Sequence, residues 1–159
     1  MTAFDQCWAF LQRPDIEGGA TISDDPEDPG GLTRWGISQK AYPLEDIRNL
    51  SEARARFLFR RDYWNACQCD QFPEAVAIAL ADAAFNQGAG TAIRLLQTAV
   101  GVPADGVLGP VTRAAVARQP AIALQDFLSH RLVRYAKGSE TYRRGWFLRV
   151  LRLQETLTI

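Results

Sequence analysis

Apolar residues return at spacings of three and four along most of the chain, and alternate at a spacing of two almost nowhere. Phe4, Cys7, Trp8 and Leu11 form one such stripe over residues 2–13, which predicts a first helix that Pro14 ends or kinks. Asp15-Ile16-Glu17 reads as its last turn, with Gly18 as C-terminal cap. Ser51, a good N-cap, opens a second helix with Ala53, Phe57, Leu58 and Trp64 inside and Arg54, Arg56, Arg60 and Arg61 outside. Residues 74–85 are apolar on nearly every side, the pattern of a buried helix, with Asp82 an oddity inside it. Further helices are expected over residues 91–100, from Pro110, over residues 122–136, and through Tyr142, Trp146, Val150, Leu153 and Leu157. Residues 21–23 and 33–38 read as two short strands of one hairpin, joined by an Asp/Pro/Gly loop. The expected fold is mainly α, six to eight helices with one small β element near residues 20–38. Residues 67–73 are the best internal boundary, giving lobes of residues 1–70 and 71–159 within one compact unit.

Composition narrows the class. With 159 residues, 47% hydrophobic and 23% charged, the chain has the make-up of a globular protein, not of a disordered or fibrous one. No apolar run is long enough to span a bilayer, and the first residues carry neither the basic region nor the apolar stretch of a signal peptide. A substrate outside the cytoplasm would therefore require another delivery route. Three cysteines cannot pair completely, and one histidine excludes a His-rich metal site; buried free thiols, no metal and no cofactor are expected. Zero net charge hides an asymmetry. Residues 1–30 hold Asp5, Asp15, Glu17, Asp24, Asp25, Glu27 and Asp28 against Arg13, a balance of −6. Residues 129–159 hold Arg131, Arg134, Lys137, Arg143, Arg144, Arg149 and Arg152 against Glu140 and Glu155, a balance of +5. The two ends either neutralise each other across the fold or form an acidic reaction site and a basic face for anionic envelope material. Nucleic-acid binding has no support in this balance or in any motif.

The candidate chemistry lies in residues 17–38, where five acids and two glycine pairs precede Thr33 and Trp35. Cleaving a glycosidic bond needs an acid to protonate the departing oxygen, and usually a second carboxylate. A Glu at the end of a helix, partly buried, is shifted toward its protonated form, so Glu17 is a candidate general acid. A solvated Glu beside a turn is the other reading. Asp24, Asp25 and Asp28 are candidates for the second carboxylate or plain turn formers. The loop lacks the spacing and closing Glu of an EF-hand. Thr33 offers a hydroxyl for a water, or is an ordinary strand residue. Trp35, Tyr63 and Trp64 have rings suited to sugar faces, although Trp64 reads as core. Asn86 and Gln87 end the buried helix at Gly88, where their amides suit N-acetyl or hydroxyl groups.

These residues carry a family resemblance. Glu17-Gly18-Gly19, followed by Asp28-Pro29-Gly30-Gly31-x-Thr33-x-x-Gly36-Ile37, resembles the signature of glycoside hydrolase family 108, N-acetylmuramidases found as phage endolysins and prophage lysis proteins. Ala53 to Tyr63-Trp64 resembles the helix that closes that module. Asn86-Gln87-Gly88, Leu96-Gln97, the loop from Asp105 to Thr112, and Gly145-Trp146-Phe147-Leu148-Arg149-Val150 resemble the peptidoglycan-binding half that usually follows. The resemblance implies a lysozyme-like fold and β-1,4 cleavage between N-acetylmuramic acid and N-acetylglucosamine. It places the catalytic Glu on Glu17, with Asp28 and Thr33 as the matching Asp and Thr of the phage lysozyme arrangement.

The expected function is thus that of a peptidoglycan hydrolase acting as a bacteriolytic endolysin. Glu17, Asp28 and Thr33 are its catalytic residues, and Trp35, Tyr63, Asn86 and Gln87 its substrate contacts. The implied partner is bacterial peptidoglycan, with the basic C-terminal helices meeting an anionic outer-membrane surface, and the chain is expected to be a monomer. It would be made in the host cytoplasm and reach the periplasm after holin-type release or another export route. The alternatives are a non-catalytic peptidoglycan-binding protein and a lytic transglycosylase.

Overall fold

A computed structural model describes residues 1–25 and 30–157. Among them lie seven α-helices: α1 (Ala3–Leu11), α2 (Glu52–Phe59), α3 (Glu74–Gln87), α4 (Ala89–Ala99), α5 (Pro110–Arg118), α6 (Pro120–Ala136) and α7 (Glu140–Leu157). Two short strands, β1 (Thr33–Arg34) and β2 (Ile37–Ser38), stand between α1 and α2. The mainly helical, lysozyme-like fold class expected from the periodicity is the one observed. Among the described residues no helix is long and apolar enough to cross a membrane.

The elements begin and end where local chemistry puts them. Thr2 caps α1 by accepting from the Asp5 N–H at 3.1 Å, while Asp5 accepts from the Thr2 N–H at 2.9 Å, a reciprocal capping box. Ser51 caps α2 through the Arg54 N–H at 3.2 Å. Proline opens both α5 and α6, where a missing N–H costs nothing. α3 is buried on all sides, and it packs against α1, α4 and α6 as the central helix of the molecule. One apolar cluster surrounds it, running from Phe4, Trp8 and Leu11 through Phe59 and Trp64 to Phe127 and Leu153.

Three expectations need correction. α1 stops at Leu11, so residues 15–17 are not its last turn; they belong to a folded-back turn beyond Gln12. The hairpin is smaller than expected. β1 pairs antiparallel with β2 across Thr33↔Ser38 and Arg34↔Ile37, and Ser23 adds only an isolated bridge to Thr33. The turn is Trp35-Gly36 with φ of +56° and +74°, the positive pair that a tight two-residue hairpin demands. In α2 the inner face is Ala55, Leu58 and Phe59, whereas Phe57 is half exposed beneath the guanidinium groups of Arg54 and Arg61. The stripe slips because a π-helical turn, Arg60–Trp64, follows α2 and rotates Trp64 inward.

The Asp105-Gly106 loop folds onto itself. Asp105 Oδ1 accepts from the Val107 N–H and from Gln97 Nε2, both at 2.8 Å, and Gln97 Oε1 accepts from the Gly106 N–H at 2.8 Å. Gln97 is buried, so this motif closes the connection between α4 and α5. The charged ends of the chain do meet. Arg152 bonds Asp15 at 3.0 Å and Arg149 bonds Glu17 at 2.5 Å, while Arg131 and Arg149 are themselves buried.

Candidate active site

Glu17 is held by the backbone that follows α1. Its N–H donates to the Leu11 carbonyl at 3.2 Å and the Gly18 N–H donates to Arg13 at 3.1 Å, which folds residues 12–18 back over the helix end. Gly36 closes from the other side. A Cβ there would sit 3.2 Å from Glu17 Cγ and 2.7 Å from the Phe85 ring, so the turn between β1 and β2 is pressed against the stem of the glutamate. The Glu17 side chain is 21% exposed and faces a cleft of about 350 Å³, with Asp15, Asn86, Tyr142, Trp146 and Arg149 among its walls.

A chain of charges stands behind it. Arg149, on α7, donates through Nη1 to Glu17 Oε1 and through Nε to Asp82 Oδ1 at 2.9 Å, with Nη2 forming an ion pair to the same oxygen at 2.8 Å. Asp82, on α3, takes Arg131 Nη2 of α6 on its second oxygen at 2.6 Å. Arg131 Nε then donates to Gln87 Oε1 at 3.2 Å, and the Tyr135 hydroxyl donates to Asn86 Oδ1. Burial alone would push the Asp82 carboxyl up, but Arg149 and Arg131 together hold it below the usual carboxylate range. Burial likewise opposes charge on Arg149, and Asp82 and Glu17 overcome it. The helix-end argument for Glu17 therefore lapses, since α1 ends at Leu11, and an arginine guanidinium contacts the carboxylate.

The expected site residues divide. Glu17 and Asn86 share the cleft, while Gln87 lines an adjoining cavity that Asn86 and Trp146 also border. Thr33 lies in β1 with its hydroxyl donating to the Gly31 carbonyl at 3.0 Å. Trp35 is a hairpin anchor whose indole N–H donates to the Leu50 carbonyl at 3.0 Å. Tyr63 lines a different cavity with Tyr42, Arg54 and Asp62, and its ring stacks on Phe59. Asp28 lies outside the described residues, and Asp24 is engaged at the surface by Arg48 at 3.0 Å. Arg149 and the site role of Trp146 were not read from the sequence. Asp82 was the available signal, because a carboxylate in an otherwise apolar helix requires buried cationic partners. Among the described residues no group of His, Cys, Asp or Glu is arranged to hold a metal ion.

The family model for glycosyl hydrolase 108 matches residues 14–88, the segment from the α1 turn to the end of α3. No curated protein matches the chain. The solved structure of Brucella abortus SagA superimposes with a TM-score of 0.81 at 31% identity, covering 98% of this chain and 91% of that one. The chain belongs to the glycosyl hydrolase 108 family. It is a glycoside hydrolase of the N-acetylmuramidase type, and its substrate class is peptidoglycan. In this glycosyl hydrolase 108 member, the Glu17 carboxylate opens onto a cleft that Asn86 and Trp146 also line.

Proposed function

We propose that this hydrolase is a bacteriolytic endolysin, made in a phage-infected host and released to the periplasm. It cuts the β-1,4 bond between N-acetylmuramic acid and N-acetylglucosamine. The observation that carries the reading is the position of Glu17, partly buried in a sugar-sized cleft that Asn86 and Trp146 also line. A sugar entering that cleft displaces water and separates Glu17 from Arg149, whose charge Asp82 continues to balance. Glu17 then takes up a proton and delivers it to the glycosidic oxygen. Asp28 and Thr33 position the attacking water or stabilise the sugar cation.

One observation favours a second reading. Asp15, the other acid of the cleft among the described residues, is engaged by Arg13 and Arg152, both at 3.0 Å. A lytic transglycosylase needs one acid and closes the muramic acid ring onto itself. Mass spectrometry of digested sacculi distinguishes the two: reducing muramic acid ends mean hydrolysis, and anhydro-muramic ends mean transglycosylation. Intact sacculi after exposure to folded protein would reject both.

A further inference from the structure

Beside the Glu17 cleft lies a cavity of about 420 Å³ lined by Asn86, Gln87, Arg134, Tyr135, Lys137, Gly138 and Trp146. Asn86 and Trp146 border both spaces, so one extended ligand can occupy the two together. The polar groups facing this second cavity are donors. Arg131 donates to Gln87 Oε1, which fixes the orientation of that amide and leaves Nε2 buried with no hydrogen-bond partner. The Tyr135 hydroxyl occupies Asn86 Oδ1 in the same way and turns the Asn86 NH₂ outward. Among the described residues Arg134 and Lys137 form no ion pair and no carboxylate lines the cavity. Trp146, stacked on Tyr135 at 5.1 Å and close against Gly138, supplies the rigid apolar wall.

A chamber of amide and cationic donors, open at one side to the cleavage site, suits an anion carried by the substrate. We propose that Gln87, Arg134 and Lys137 receive a carboxylate borne on the acidic arm of the muramic acid residue, lactyl or peptide, while the sugar lies between Glu17 and Trp146. This subsite rests on the glycan-cleaving reading given above. It makes the enzyme selective for acid-bearing strands over neutral ones and gives Arg134 and Lys137 a role in specificity.

The test compares soluble peptidoglycan fragments with the same fragments after carbodiimide amidation of their carboxylates. Wild-type enzyme should prefer the acidic fragments. The double variant Arg134→Gln/Lys137→Gln should raise KM for them by about tenfold, the scale of lost charge-assisted hydrogen bonds, with kcat within about twofold. On amidated fragments the variant and wild type should match. The pair Arg113→Gln/Arg118→Gln, which lines neither cavity and makes the same change in net charge, should behave as wild type. An equal loss in that control pair, an equal loss on amidated fragments, or no change in KM would each overturn the proposal. Competitive inhibition of wild type by inorganic phosphate, absent from the double variant, would assign the chamber to a free anion and also overturn it. Binding of both fragment types to the inactive Glu17→Gln chain reads the subsite without turnover. Failure of catalysis is thereby separated from failure of the subsite.

Discussion

Replacing Glu17 by Gln removes the proton the reaction needs but keeps an oxygen for Arg149 to bond. Lysis of sacculi should fall by about 10²–10⁴-fold with little change in melting temperature. Near wild-type lysis by folded Glu17→Gln protein would remove this residue from the chemistry. Arg149 acts on the same carboxylate from behind. Because Glu17 helps to raise the Arg149 pKa, Arg149 must in turn favour the ionised form of Glu17. Arg149→Met should therefore extend the acid form of Glu17 to higher pH. The alkaline limb of the pH–rate profile would move up while maximal activity falls. An unmoved limb in folded variant would show that the pair is broken before the proton is transferred. Glu17, Asn86 and Gln87 stand out in the sequence, the first before a glycine pair and the other two at the end of a helix that Gly88 closes. Arg149 does not, since its partners lie 132 and 67 positions away and nothing in its own helix marks it out.

The helices were legible in their spacing because each buries a stripe or, in α3, its whole surface. The small β element was less so. Two-residue strands carry too little alternation to be located, and the residues that fix the hairpin are its turn, Trp35 and Gly36. That turn is also the element on which the site depends most closely. Gly36→Ala would place a methyl group 2.7 Å from the Phe85 ring at a φ of +74°, and the displacement would pass directly to the stem of Glu17. A stability loss of about 1–3 kcal/mol in urea is expected, together with a fall in kcat. Gly31→Ala supplies the comparison. Its φ is +67° but among the described residues nothing lies within 4 Å of the added carbon, so only the backbone term of about 1 kcal/mol applies and kcat should hold. Equal effects at the two glycines would mean that contact with Glu17 is immaterial.

At the scale of the molecule, Asp82 joins the parts. Through Arg149 and Arg131 it links α3, α6, α7 and the turn after α1, all within the apolar cluster. Asp82→Asn leaves two arginines without their shared negative partner and should cost about 3–5 kcal/mol in a urea melt, more than any exposed ion pair in the chain. The same group sets the acid limit. Its folded pKa lies below the unfolded one, so its contribution is complete above the ordinary carboxylate range, near pH ~4, and is lost as pH falls through the depressed folded value. Asp5 and Asp15 are lowered by their own hydrogen-bonding partners and shift in the same direction. Wild-type stability should therefore be flat across neutral pH and fall below about pH 4, and Asp82→Asn should show a shallower acid slope than wild type. The buried thiols add a loss on the alkaline side, because their folded pKa values lie above the unfolded ones and stability falls as pH rises through the ordinary thiol range. Desolvation pushes Cys67 up to about 12 and holds Cys7 and Cys69 well above the ordinary thiol range, so native protein should resist thiol reagents until it unfolds. An acid slope identical in wild type and Asp82→Asn would move the pH sensitivity from the buried network to the surface carboxylates.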